Sequence, residues 1–509
     1  VGAKETIQAI ESKKAGFFFW LAAFFAVILL RNLFEGLLEN LHGIISFYPF
    51  FIHYILSWIS MYLMFVLVLK LLSKESIIKV SKIVLVFFPI ILIVPVIDFI
   101  ATSGAGLDID YAFGGPSYFV SQYFSFAADY PGMGVTPGQK TVIAISALFS
   151  AFYCWSKTKS KVRTISAAVL VYTFLGLYAY LPSLLGMLAF GISGWEQMAG
   201  IATPIIIKYA LDLLYVFLII SQLMLWLLLW DKKKLSVLIL DIRPLRTAHY
   251  VFLMPIFGIL VYPYFTPSPM DWMSIAGLFI AAFFAFQASV AINDLGDQSI
   301  DRINNKKRLL VKGALSPGEY KKIAIAEAAI ALVLAYIVFY EIFVLILCSL
   351  ALAFVYSMQP FRLRRFVFVS TFVLALISLL GFFSGYFVAG AASFAGMPFG
   401  PPLFILIFIT LAFNAKDLKD IEGDRKAGVS TIPVLIGEQK ARSLISHLIA
   451  LSYILAPFLL GLPLLFFFPL SIGFALINYF LLLRLKTGER AILLVYFIYA
   501  VIAGSTVFF

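Results

Sequence analysis

Runs of roughly 20 apolar residues, separated by short polar or basic loops, recur from Gly16 to the C-terminus. A helix satisfies its own backbone in lipid, and about 20 residues at 1.5 Å each span the hydrocarbon layer. The pattern therefore predicts an all-α, polytopic membrane protein. The first half reads as about six spans, at 16–31, 50–69, 83–101, 141–156, 165–190 and 204–230. The second half reads as about nine, at 247–264, 270–292, 323–339, 342–358, 367–390, 401–415, 441–461, 463–483 and 490–509. Lys13 and Lys14 lead into the first span with no small-residue cleavage pattern after it, so no cleavable signal is expected.

Threading these spans alternately sends nearly every basic loop to one side: 70–82, 157–163, 232–246, 302–322, 362–365, 416–442 and 484–490. By the positive-inside rule that side is cytoplasmic. The net charge of +12 and the mean hydropathy of +1.02 thus describe one basic surface on an apolar body, suited to anionic lipid headgroups. Basic residues spread over short loops, with no base-reading motif, exclude nucleic acid as a partner. Cys154 and Cys348 fall inside apolar spans and offer neither a disulfide framework nor a thiolate metal site.

The apolar pattern breaks once, at Asp231–Arg246, and divides the chain into an N-terminal transmembrane domain (1–230), a cytoplasmic linker (231–246) and a second membrane domain (247–509). The first domain carries no chemistry that its sequence declares; stabilisation, oligomerisation, docking and delivery of a lipophilic substrate all fit it. His42 and His53 lack metal-site spacing. Asp108, Asp110 and Asp129 read as the solvated surface of a long outer loop, and Asp98, Lys208 and Asp212 as snorkelling residues near outer span ends.

Two aspartate-rich stretches stand out in a chain with only 13% charged residues: Asn293-Asp294-Leu295-Gly296-Asp297-Gln298-Ser299-Ile300-Asp301 and Asp417-Leu418-Lys419-Asp420-Ile421-Glu422-Gly423-Asp424. Asn293, Asp297 and Asp301 follow i, i+4, i+8 and lie on one helical stripe; Asp294 points elsewhere. Asp417, Asp420 and Asp424 follow i, i+3, i+7, with Gly423 fraying the end. Oxygen-only ligands in two clusters suit Mg2+, which keeps waters and shares itself with substrate phosphates. The cations beside them, Lys306, Lys307, Arg308 and Lys312, then Arg362, Arg364 and Arg365, then Lys416, Lys419, Arg425 and Lys426, supply donors for oxyanions. Together they make a diphosphate-binding arrangement.

The first stretch, with Arg302-Ile303-Asn304 and Gly313, resembles the first signature of the UbiA-type intramembrane prenyltransferases. Lys416–Gly437, with Thr431-Ile432-Pro433 near its end, resembles the second. Tyr356-Ser357-Met358-Gln359-Pro360-Phe361-Arg362-Leu363-Arg364 is similar to the tyrosine-plus-basic loop of the chlorophyll-synthase-like branch, which stands beside the geranylgeranylglyceryl-phosphate-transferase-like branch. The resemblance covers about residues 240–509 and implies a nine-helix bundle, here preceded by an extra bundle of about six helices.

It further implies a Mg-dependent prenyltransferase. Asn293, Asp297, Asp301, Asp420 and Asp424 would hold two Mg2+ ions bridged by the diphosphate of an allylic prenyl donor, with Asp294 and Asp417 in support. Arg308, Arg362, Arg364 and Lys416 would contact the diphosphate, and Tyr356 would orient it or face the developing cation. Relatives often carry Arg-Pro-x-x-Ser-Gly where this chain has Arg308-Leu309-Leu310-Val311-Lys312-Gly313. The acceptor therefore stays open among aromatic rings, glycerol-phosphate lipids, chlorophyllides and polyprenyl phosphates. A cation-coupled transporter using the acidic helix ends is the alternative reading.

Overall fold

A computed structural model describes residues 2–14, 16–38, 51–107, 120, 123–124, 135–190, 203–304 and 308–508. His42, Asp108, Asp110, Asp129, Lys306 and Lys307 lie outside the described residues, as does the side chain of Lys208. The described residues are helical with no strand, as the apolar runs predict. They divide into two units, Val1–Leu235 and Ser236–Phe509.

Unit 1 opens with a helix that the span count omits, α1 (Ala3–Ser12). Its Glu11 is buried, accepting from Tyr153 at 3.0 Å and Lys157 at 2.7 Å. The longer helices follow: α2 (Phe17–Leu38), α3 (Phe51–Ser73), α4 (Ile77–Phe87), α5 (Ile93–Ala101), α6 (Pro137–Thr158), α7 (Lys161–Phe190) and α8 (Thr203–Trp230). Asp98 does not snorkel. It is fully buried and takes hydrogen bonds from the Thr136 hydroxyl at 2.6 Å and the Gly138 amide at 2.7 Å, so it satisfies the orphan donors where α6 begins. Asp212 is likewise buried, against His53 Nδ1 at 2.7 Å. Both acids answer to internal partners rather than to the membrane surface.

Unit 2 contains α9 (Lys232–Leu240, which begins in unit 1), α10 (Pro244–Thr247), α11 (Met254–Val261), α12 (Pro269–Gly296), α13 (Gln298–Asn304), α14 (Pro317–Val338), α15 (Tyr340–Ser357), α16 (Val369–Val388), α17 (Gly400–Ala412), α18 (Ile421–Lys426), α19 (Ile432–Ile436), α20 (Glu438–Leu460), α21 (Leu464–Leu483) and α22 (Glu489–Phe508). A π-helical turn, Ala248–Leu253, joins α10 to α11, so 244–261 runs as one span. Among the described residues 13 helices are long and apolar enough to cross a membrane. The 22-residue helices α6 and α14, expected as spans, are not among them; Lys321, Lys322 and Glu327 dilute the apolar character of α14.

Close helix contact sets the frame for the site. On α11 and α16, Gly258 faces the Phe382 carbonyl oxygen and Gly385 faces that of Pro255, where a Cβ at either position would collide with backbone. Small residues substitute for the missing hydrophobic drive between helices in lipid. Around this contact Met254, Phe382, Phe408, Tyr453 and Tyr496 form part of one continuous core. In α9, Val237 and Leu238 pack on Ala291, Leu309, Leu315 and Tyr320, which ties the linker to the segment after the first motif.

Candidate active site

Both aspartate motifs form where a long helix stops and a short one starts. Helix α12 ends at Gly296, and Asp297 takes φ −107°, ψ 13° before α13 begins. A tight 3-10 turn, Phe413–Lys419, continues α17, and Asp420 takes φ −110°, ψ 13° before α18 begins. The two motifs thus share one backbone break, at an aspartate in each. Backbone hydrogen bonds carry the register across it: Asp297 N–H donates to Asn293 O at 3.0 Å, Asp301 N–H to Asp297 O at 2.9 Å and Asp424 N–H to Asp420 O at 2.9 Å. The stripe read as a single continuous helix is a kinked one, and it still presents Asn293, Asp297 and Asp301 to one cavity.

That cavity has a volume of about 180 Å³. Asp297, Asp301, Asp417, Asp420, Lys416 and Arg364 line its polar end, and Ala282, Ala285, Phe286, Ala353 and Ile377 its apolar end. Gly296 lets α15 approach, since a Cβ there would sit 2.8 Å from the Ser357 carbonyl oxygen. Asn293 Nδ2 donates to Ser357 Oγ at 3.3 Å across the same contact.

The aspartates are already paired with bases. Arg364 ion-pairs with Asp297 and, at 3.5 Å, with Asp424, so one guanidinium bridges the two motifs. Arg362 reaches Asp297 at 3.4 Å, Arg308 reaches Asp301 at 3.9 Å, and Lys416 holds Asp417 at 2.6 Å. Asp294 faces Arg243 at 2.6 Å and Arg308 at 3.7 Å, and it does not line the cavity. Asp424 is 1% exposed, with neither carboxylate oxygen accepting a hydrogen bond among the described residues. Burial raises its pKa to about 6 against the opposing pull of Arg364.

The loop after α15 delivers Arg362 and Arg364. Arg362 sits at φ +44°, a left-handed conformation that costs about 1 kcal/mol or more for a non-glycine residue. The Ser430 amide donates to the Arg365 carbonyl at 3.0 Å, which fastens this turn to the segment following the second motif. Tyr356 and Lys416 line the cavity side by side.

Three lining residues have no signature in the sequence. Glu489 takes a two-pronged ion pair from Arg246, at 2.7 Å and 2.9 Å from one Nη2, and a further bond from Lys419 at 2.9 Å. His249 is buried, with Nε2 3.0 Å from Ser378 Oγ and Nδ1 3.4 Å from the Tyr496 hydroxyl. The Ser378 hydroxyl proton goes to the Leu374 carbonyl, which assigns the imidazole proton to Nε2. A single basic or acidic residue in the first turn of a span is ordinarily a topology signal, so only the fold could single out Arg246 and Glu489.

No group of three His, Cys, Asp or Glu side chains stands close enough to grip a metal ion among the described residues. The donor set nonetheless fits a hard divalent cation: the oxygens of Asp297, Asp301, Asp417, Asp420 and Asp424 border or adjoin one cavity, held apart by arginines. A second cavity, about 730 Å³ and lined by Phe257, Phe404, Leu459 and Tyr499, lies among α11, α17, α20 and α22. A small cavity walled by Phe408, Phe413, Glu489 and Tyr496 borders both.

Residues 251–501 match the UbiA prenyltransferase family. The digeranylgeranylglyceryl phosphate synthase of Thermococcus kodakarensis is 29% identical over 221 residues, covering 42% of this chain and 76% of that protein. The enzyme of the same name from Pyrococcus abyssi is 28% identical over 184 residues, 36% of this chain and 63% of that protein. A solved structure of a UbiA homolog from Archaeoglobus fulgidus, bound to DMAPP and Mg2+, is 23% identical with a TM-score of 0.44, covering 54% of this chain and 98% of that one. The cation-coupled transporter finds no support, since the acids it would use cluster with arginines at one end of the helices. The second half of this chain belongs to the UbiA prenyltransferase family, whose members are enzymes of prenyl transfer.

Proposed function

We propose that this chain moves a prenyl group from an allylic prenyl diphosphate to a lipid acceptor that carries a phosphate, with divalent metal, at the cytoplasmic face of the membrane. One observation carries the reading: two aspartate motifs interleaved with arginines converge on the polar end of a cavity whose other end is apolar. A diphosphate with a hydrocarbon tail has that same division. The basic loops at this end of the spans support the cytoplasmic side.

Two Mg2+ ions, held by Asn293, Asp297, Asp301, Asp417, Asp420 and Asp424, would neutralise the diphosphate and make it a better leaving group. Arg308, Arg362, Arg364 and Lys416 donate to its oxygens, and Asp294 positions Arg243 and Arg308 rather than binding metal. As the allylic C–O bond breaks, the electron pair leaves with the diphosphate and positive charge grows on the prenyl carbon. The ring of Tyr356 faces that charge. An acceptor hydroxyl oxygen then forms the new C–O bond and releases its proton. The apolar wall of Ala282, Ala285 and Phe286 holds the tail and excludes water from the cation. Every residue given a role in this chemistry lies within Ser236–Phe509.

Arg243 suits a phosphate on the acceptor: it lines the cavity outside the Asp297–Arg364–Asp424 group, and its buried Nε has no hydrogen-bond partner among the described residues. Relatives named digeranylgeranylglyceryl phosphate synthase support the same class. The test compares a glyceryl-phosphate ether lipid with its dephosphorylated alcohol as acceptors for geranylgeranyl diphosphate, with products identified by mass. Preference for the phosphorylated acceptor, lost in Arg243→Gln, is the expected result. Equal use of both, or a prenylated aromatic ring as the better product, would overturn the acceptor class.

A further inference from the structure

We infer that Arg364 is an exchangeable internal counter-ion: it occupies the carboxylates of both motifs until metal and diphosphate arrive together, and this makes metal binding depend on the donor. The inference rests on the prenyl diphosphate reading above and concerns the regulation of that same site.

The site sets its carboxylates against bases. Asp297 and Asp424 share Arg364, Asp301 faces Arg308, Asp417 holds Lys416, and Asp294 faces Arg243. A divalent cation entering alone must displace a guanidinium from two carboxylates and leave that guanidinium beside it. Two like charges in a buried site repel strongly, so metal alone gains little. A diphosphate changes the balance, because its several negative charges give the displaced Arg364 a new bidentate partner within the same cavity. Metal, diphosphate and arginine then exchange partners without leaving a buried charge unpaired.

The structure places Arg364 where this exchange is mechanically simple. It sits on a three-residue turn, Leu363–Arg365, reaching Asp297 at the end of α12 and Asp424 in α18, and it already lines the cavity. Arg308 and Lys416 each pair within or near one motif, whereas Arg364 joins the two. Releasing it opens Asp424 and leaves Asp297 with the Arg362 contact at 3.4 Å. Because linkage is reciprocal, the donor must tighten metal binding by the same factor by which metal tightens donor binding.

The test measures Mn2+ binding to the purified full chain by electron paramagnetic resonance, with and without a non-reactive thiolo analogue of geranylgeranyl diphosphate. In the parent protein the analogue should tighten Mn2+ binding by roughly tenfold or more. Arg364→Gln should bind Mn2+ alone several-fold more tightly than the parent and lose most of the tightening. Arg364→Lys, which keeps the charge, should retain weak metal-only binding. Equal Mn2+ affinity with and without analogue in the parent, or unchanged metal-only affinity in Arg364→Gln, would overturn the inference while leaving the metal–diphosphate site standing. Failure of Mn2+ to bind even with analogue, or binding that survives Asp297→Asn, would sink the underlying site assignment and the inference with it.

Discussion

Arg364 and Asp297 form an ion pair between the loop that follows α15 and the break that ends α12, and the same guanidinium reaches Asp424 at 3.5 Å. Two motifs far apart in the chain therefore meet through a third element that is neither. On the proposed function the motifs act as one assembly. Asp297→Asn and Asp424→Asn should each lower transfer by about 100-fold or more, on the scale of losing one electrostatic stabiliser of a transition state. The double variant should be little worse than either single one, because each removes the same bridged group. Steady-state diphosphate release by the three variants checks this, and losses that multiply would separate the motifs functionally.

The basic residues divide by position rather than by number. Arg362 stands 3.4 Å from Asp297 in a left-handed conformation. Lys234, by contrast, lies over the Trp230 ring in the linker region. Arg362→Gln should cut turnover by about tenfold or more, as expected for a lost charge-assisted contact to an oxyanion. Neutralising Lys232, Lys233 and Lys234 together should change turnover by less than about twofold, since surface charges near lipid chiefly affect membrane contact. The reverse ranking in turnover assays would move the diphosphate site elsewhere.

Packing between α11 and α16 is the structural counterpart of the site. Gly385→Ala would drive a methyl group against the Pro255 carbonyl, and Gly258→Ala another against that of Phe382. Either substitution should cost about 1–3 kcal/mol of stability, the usual penalty for overpacking. Gly437→Ala is the informative contrast: among the described residues nothing beyond its chain neighbours lies within 4 Å of its Cβ, so its cost comes from the φ of +82°. Thermal unfolding in one detergent should rank both close-contact variants below the parent.

Much of this was legible in the sequence, and the limits have physical reasons. Apolar runs gave the helices, because a span must satisfy its own backbone and so announces itself by length. Carboxylates at helical spacing marked both motifs. The kinks at Asp297 and Asp420 were not legible: residues such as Gly296 and Gly423 weaken a helix without saying where it breaks. The burial of Asp98 and Asp212 was also hidden, since their partners, Thr136 and His53, are distant in sequence and an acid near a span end ordinarily snorkels. Cys348, which falls inside an apolar span, is exposed on α15, because an apolar run does not declare which of its faces meets lipid.

The separation of the chain into two units carries its own consequence. On the proposed division of labour, a fragment beginning near Lys232 keeps the linker contacts of Val237 and Leu238 together with all motif residues. It should insert, and bind a prenyl diphosphate with Mg2+ within about threefold of the full chain, a difference of less than about 1 kcal/mol. Calorimetry on the purified fragment checks this. A well-folded fragment without Mg2+-dependent donor binding would give residues 1–230 a part in the active site.

The central claim is that this chain breaks the bond between an allylic prenyl group and its diphosphate and passes the prenyl group to a lipid. Its most direct test supplies purified full-length chain with geranylgeranyl diphosphate, a phosphate-bearing lipid acceptor and Mg2+, and follows diphosphate release and product mass in the same reaction. The account predicts stoichiometric release of diphosphate and a product heavier than the acceptor by one prenyl group, both abolished by EDTA. Undiminished product formation in EDTA, or a well-folded protein that releases no diphosphate from prenyl donors of any length, would contradict it.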